Sequence, residues 1–213
     1  MKYIAIIFDL DGTLVDISPR YRIETTRNAL ESFGKTSEES DIHRFWLEDG
    51  KDEIIRSAFK VDPEEFWPVY RQMDTGKNRL PYLTVYDDVL RFLTDLQKKK
   101  FMTGIVTSAP DYIAYDEIDV IGRDFFDHII IAKRFWGIQP KPHPMGLQKC
   151  LEYMKVDPKE SVYIGNGRED VVAAKSAGML DIFIDRGESI PVEDLQPTLV
   201  INSLDELRPI LGL

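Results

Sequence analysis

Residues 4–15 read IAIIFDLDGTLV, an apolar run that stops abruptly at Asp9-Leu10-Asp11-Gly12-Thr13. Ile-Ala-Ile-Ile-Phe bounded by a turn former has the character of a strand buried on both faces of a parallel sheet. Side chains alternate along extended chain, so Asp9 and Asp11 leave the strand's end in the same direction, about 6–7 Å apart. Two like charges held that close repel. Either water solvates the pair in an ordinary Asp-Gly turn, or a cation or an electron-poor substrate atom sits between them.

The surrounding sequence has two textures. From residue 81 onward, helical patterns alternate with short apolar runs, as in a βαβ chain. VYDDVLRFLTDLQKKK (85–100) carries Val85, Val89, Phe92, Leu93 and Leu96 at helical spacing and predicts a helix. FMTGIV (101–106), HIIIA (128–132), SVYI (161–164), DIFI (181–184) and TLVI (198–201) predict strands. MGLQKCLEYM and a stretch from Arg168 to Gly178 predict helices, and Ser203-Leu204-Asp205-Glu206 has the capping-box spacing. Residues 17–80 lack the alternation and read as purely helical, with capping-box spacing at Thr36-Ser37-Glu38-Glu39 and a helix start at Asp62-Pro63-Glu64-Glu65. These patterns predict a Rossmann-like three-layer α/β core with a parallel sheet, built from residues 1–16 and 81–213. A small all-α cap domain is expected over 17–80, above the carboxyl end of the first strand, where ligands bind in open parallel sheets. Hinges are expected near 15–19 and 78–83.

Composition narrows the function classes. The chain has 213 residues, 43% of them hydrophobic, and no stretch approaches the roughly 20 apolar residues of a membrane span. A net charge of −10 disfavours nucleic acid and anionic membranes as partners, so an anionic substrate would need local positive charge. Met1-Lys2-Tyr3 leads straight into the strand without the features of a secretory signal, and a cytoplasmic protein is expected. The single cysteine, Cys150, reads as a core residue on a helix face, and a monomer or weak dimer is expected. His43, His128 and His143 show no metal-ligand spacing.

Four predicted strand ends carry chemistry. Beside the Asp9 and Asp11 pair, FMTGIV is followed by Thr107-Ser108, HIIIA by a loop holding Lys141 between two prolines, and SVYI by Gly165-Asn166-Gly167-Arg168-Glu169-Asp170. A carboxylate pair, hydroxyls, a lysine and a further acid are the parts of nucleophilic phosphoryl transfer with a metal. Each part has a plain alternative: an Asp-Gly turn, a hydroxyl bonded to its own turn, a solvated loop lysine, or an acid in the first turn of a helix.

DLDGTL, VTS, PKP and GNGRED, in this order and with a helical insertion after the first, resemble the motifs of the haloacid dehalogenase-like hydrolase superfamily. The resemblance is to members with an α-helical cap, of the phosphoglycolate phosphatase and β-phosphoglucomutase kind, and it spans essentially the whole chain. It implies a Mg²⁺-dependent phosphatase acting on a small phosphorylated metabolite. Asp9 would be the nucleophile and a Mg²⁺ ligand, forming an aspartyl-phosphate. Asp11 would be the general acid and then base, its backbone carbonyl a further ligand. Thr107, with Ser108, would bind the phosphoryl oxygens, and Lys141 would offset the charge shared by Asp9 and the phosphoryl group. Asp170 would hold the metal directly or through water. In the helical insertion, Lys51 in EDGKDEIIRS resembles a substrate-facing residue. The family usually carries Asp where this chain has Asn166, so a formal charge is missing from the metal site. A phosphomutase uses the same residues, and a catalytically weak phosphoester-binding module stays open. A dehalogenase is disfavoured because halide leaves without the proton that Asp11 would give.

Overall fold

In the computed structural model, which describes residues 3–48, 50–188 and 190–213, the opening apolar run forms β1 (Ala5–Phe8), fully buried along its length. The chain continues through β2 (Val15–Ile17), α1 (Pro19–Glu31), α2 (Glu39–Leu47), α3 (Lys51–Ile54), α4 (Pro63–Met73), α5 (Gly76–Arg79) and β3 (Leu83–Val85). It then alternates: α6 (Val89–Lys98), β4 (Met102–Thr107), α7 (Asp111–Ile121), β5 (His128–Ile131), α8 (Met145–Met154), β6 (Ser161–Gly165), α9 (Arg168–Ala177), β7 (Leu180–Ile184), β8 (Leu199–Ile201) and α10 (Arg208–Leu211).

Six strands form one sheet in the order β5-β4-β1-β6-β7-β8, every pairing parallel. β1 is therefore interior, with Phe8 opposite Ile105 of β4 and Ile164 of β6. Its alternating side chains feed two layers. Ala5 and Ile7 join Leu147, Cys150 and Leu151 of α8 and Ala173 and Ala174 of α9 in one apolar cluster. Phe8, on the opposite face, meets Phe92 of α6 edge to face at 6.3 Å. Burying such a phenylalanine contributes roughly 1.5–3 kcal/mol, and helices on both faces explain why the strands read as unbroken apolar runs. The architecture is a Rossmann-like α/β fold.

Two compact units divide the chain: Met1–Asp16 with Val85–Leu213, and Ile17–Thr84. The second unit is helical about an aromatic centre. Phe66 is fully buried and lies within 5.4–5.8 Å, ring centre to ring centre, of Tyr70, Phe45 and Phe59. Asp62 caps α4 by accepting the Glu64 N–H at 2.9 Å. Asp74 and Arg79 form a buried forked ion pair at 2.7 and 2.9 Å, with the Tyr21 hydroxyl donating to the same carboxylate. Among the described residues, no helix is long and apolar enough to cross a membrane.

Local readings differ from the structure at three places. The helix expected over 85–100 starts only at Val89, because Val85 belongs to β3, which pairs with β2. The Thr36–Glu39 capping spacing does not cap: α2 begins at Glu39 with Glu38 at its N-cap and no side-chain bond. The Ser203–Glu206 box does form, but it opens a 3₁₀ turn, Leu204–Leu207, that leads into α10. Helix α7 was not singled out by the sequence reading. The expectation drawn from Met1 and Lys2 lies outside the described residues.

Candidate active site

Asp9 directly follows β1, and its N–H donates to Ile164 O at 2.9 Å, holding it in step with β6. Thr107 closes the neighbouring strand β4, and Asn166 follows β6 on the other side. Successive crossovers run from β1 toward β5 and then back across it to β6, so these ends meet at a switch point in strand order. The Asp9–Thr13 stretch turns at Leu10, whose carbonyl accepts the N–H groups of Thr13, Leu14 and Val15 at 3.2, 2.9 and 3.2 Å. Gly12 has φ +73°, and a Cβ there would lie 2.2 Å from Asn166 Nδ2. Both backbone and neighbour require glycine. Thr13 Oγ1 then donates to Asn166 Oδ1 at 3.2 Å, tying the first motif to the last.

Lys141 stands at the centre of the charged groups. Its Nζ donates to Asp9 Oδ1 and to Asp170 Oδ1, both at 2.6 Å, and to the Tyr163 hydroxyl at 3.0 Å. An ammonium has three protons, and each has a partner here. Tyr163 sits in β6 and lies 2.9 Å from Asp170 Oδ1 and 3.2 Å from Val106 O, acceptors for its single proton. The other Asp170 oxygen accepts the Gly167 N–H at 2.8 Å, so this acid also secures the start of α9. Lys141, Asp9 and Asp170 are 8%, 7% and 2% exposed. Burial pushes the Asp9 carboxyl up to about 7; the Lys141 ammonium opposes this, and the Asp170 and Asp11 charges add to it. Burial alone would lower Lys141, but the Asp170 and Asp9 charges reverse that and hold it well above the usual lysine range.

The remaining sequence candidates fall as follows. Asp11 is half-buried and near enough for its charge to act on Asp9. Thr107 Oγ1 accepts the Ala109 N–H at 3.0 Å, the turn bond open to any strand-end threonine, which leaves its own proton to donate elsewhere. Ser108 Oγ is buried and has no hydrogen-bond partner among the described residues. Lys51 belongs to the helical unit, where it opens α3 after Gly50 with Nζ 5.6 Å from the centre of the Phe45 ring. Its neighbour Asp49 lies outside the described residues. Tyr163 was missed, because a tyrosine in SVYI reads as strand filling. The available signal was that a buried tyrosine hydroxyl needs a polar partner.

The donors suit a hard divalent cation. Two buried carboxylates, Asp9 and Asp170, share one lysine, so the cluster is short of positive charge when both are ionised. Among the described residues, no three His, Cys, Asp or Glu side chains converge as a ready-made ligand set. A cation here would draw on mixed oxygen donors: the Asp9 and Asp170 carboxylates, the Asn166 amide oxygen and backbone carbonyl groups.

Similarity to known proteins runs along nearly the whole chain. Phosphoglycolate phosphatase of Pseudomonas fluorescens is 28% identical over 218 residues, covering 96% of this chain and 78% of that protein. Pyrophosphatase PpaX of Bacillus mycoides is 27% identical over 223 residues, covering 100% and 98%. The crystal structure of a protein described as a predicted phosphoglycolate phosphatase from Haemophilus somnus superposes with a TM-score of 0.85 at 23% identity, covering 99% of both chains. Its contribution is to the fold alone. The model of the family described as haloacid dehalogenase-like hydrolase matches residues 6–184, and by that match the chain belongs to the haloacid dehalogenase-like hydrolases.

Proposed function

We propose that this hydrolase is a Mg²⁺-dependent phosphatase that cleaves a small phosphorylated metabolite through an aspartyl-phosphate on Asp9. The observation that carries the reading is the buried contact of Asp9 with the Lys141 ammonium, itself fixed by Asp170 and Tyr163. An oxygen of Asp9 attacks phosphorus, forming the Asp9 O–P bond as the P–O bond to the leaving group breaks. Asp11 gives its proton to the leaving oxygen. It then takes a proton from water, whose oxygen attacks phosphorus and releases Asp9 and inorganic phosphate. Lys141 holds positive charge beside Asp9 while the phosphoryl oxygens approach, and Thr107 and Ser108 supply hydroxyl donors at the adjacent strand end. Asp9, the Asp11 carbonyl, Asn166 and Asp170 would hold Mg²⁺, which when bound neutralises the approach of one anion to another.

The relatives named for phosphoglycolate and pyrophosphate point to small, strongly anionic phosphoesters or anhydrides as the substrate class. The test is turnover of p-nitrophenyl phosphate with Mg²⁺, followed by a screen of phosphorylated metabolites. Wild type should release phosphate and Asp9→Asn should not. Equal rates in the two proteins would end the reading.

A further inference from the structure

Arg186 follows β7 and reaches back to the loop that carries both catalytic aspartates. Its Nη2 donates to Thr13 O at 2.9 Å and its Nε to the same oxygen at 3.3 Å. The other edge of the guanidinium grips Asp88, Nη1 to Oδ2 at 2.8 Å and Nη2 to Oδ1 at 3.0 Å. The guanidinium carbon lies 4.1 Å from the centre of the Tyr86 ring. Both charged side chains are nearly sealed, 8% and 5% exposed. Asp88 is fixed in turn by the Ser203 hydroxyl and the Leu204 N–H, both at 2.8 Å, and the next carbonyl of the loop, Leu14 O, accepts the Tyr86 N–H at 3.2 Å.

Nothing in the proposed chemistry uses Arg186, yet one planar fork holds the Thr13 carbonyl in place. Thr13 is also the residue whose hydroxyl orients Asn166, and it lies two positions after Asp11. A buried Arg–Asp pair meant only to staple the C-terminal segment would have no need to reach this loop. A lysine could not replace it, because a point ammonium cannot serve a carbonyl on one edge and a carboxylate on the other. We propose that Arg186, held by Asp88, is a positioning residue for phosphoryl transfer, setting the turn that aims Asp11 and Asn166 toward Asp9. The proposal rests on the phosphatase reading above.

The test compares wild type with Arg186→Lys, Arg186→Ala and Asp88→Asn, using p-nitrophenyl phosphate kinetics and hydrogen–deuterium exchange of the full chain. A turn that loses its clamp should lower kcat by about tenfold to a hundredfold, the scale of a slightly misplaced catalytic group, with KM within about twofold. Amides of residues 10–15 should exchange faster while those of β6 and β7 keep their protection, and added guanidinium chloride at millimolar concentration should restore kcat in Arg186→Ala. Variants that melt lower but turn over at the wild-type rate would reduce the pair to a staple and overturn the proposal. So would a fall in kcat without faster exchange in 10–15. A wild type inert toward every phosphoester removes the phosphatase reading and this inference with it; an active wild type with indifferent variants removes the inference alone.

Discussion

Asp170 fills the space that a side chain on Gly165 would need: a Cβ there would lie 2.3 Å from the Asp170 carboxyl carbon. The glycine that ends β6 is thus a close-approach residue, letting the acid of α9 lean against the strand end and meet Lys141 at 2.6 Å. Gly165→Ala must push the carboxylate off the lysine. We expect a loss of about 1–3 kcal/mol in stability, the usual cost of overpacking, together with a marked fall in kcat. Thermal melts and p-nitrophenyl phosphate turnover check both. A variant that matches wild type in each would show that Asp170 can move without consequence.

Much of this was legible in the sequence where local chemistry decides the outcome. β1 announced itself because both of its faces are buried, and α9 stopped where expected because Gly178 takes φ +77°. Legibility ended where distant segments decide. Val85 satisfies a helical period but is claimed by strand pairing with β2, and the acid of Asp88 is spent on Arg186, 98 residues away. At the site, Asp9, Lys141 and Asp170 could be named from their motifs. That one ammonium would join partners 22, 29 and 132 residues distant in sequence follows from the strand order alone. No spacing rule reaches that far, which is why Tyr163 went unnoticed.

Burial raises the Asp9 carboxyl from 3.8 to about 7, so the metal-free folded protein holds that proton more tightly than the unfolded chain does. This stabilising contribution is complete below pH about 4 and is lost as pH rises to about 7. Acids held below the usual range, such as Asp88 and Asp205, change stability only at lower pH. In EDTA, the melting temperature should fall between pH 5 and pH 7.5 by roughly 5–10 °C, and Asp9→Asn should flatten the slope. A slope of opposite sign would mean that Asp9 is fully ionised in the folded protein.

Lys141→Met would remove the one cation that Asp9 and Asp170 share and leave two buried carboxylates facing each other. Breaking a buried ion cluster on one side costs about 3–5 kcal/mol, and loss of charge stabilisation at the reacting group lowers kcat by about 10²–10³. Urea denaturation in EDTA measures the first. The deficit should be smaller at pH 5 than at pH 7.5, because protonating Asp9 relieves the repulsion. A deficit independent of pH would assign the loss to packing of the lysine stem instead.

Asn166 offers a test of the proposed metal site. Its amide oxygen already takes the Thr13 hydroxyl at 3.2 Å, while its nitrogen side packs against Gly12, so a carboxylate of the same shape fits with no rearrangement. Asn166→Asp adds one negative charge at the strand end beside Asp9, where the cluster already lacks positive charge. The extra anion raises the attraction for a divalent cation and, without one, adds repulsion on Asp9. Titration calorimetry with Mg²⁺ alone should show about tenfold tighter binding, the effect of ~1.4 kcal/mol, and the metal-free variant should melt lower than wild type at pH 7.5. These two shifts have opposite signs for the loaded and empty protein, which a general packing change would not produce. Unchanged Mg²⁺ affinity would place the cation away from Asn166 and leave the amide with the structural task of locking Gly12 and Thr13.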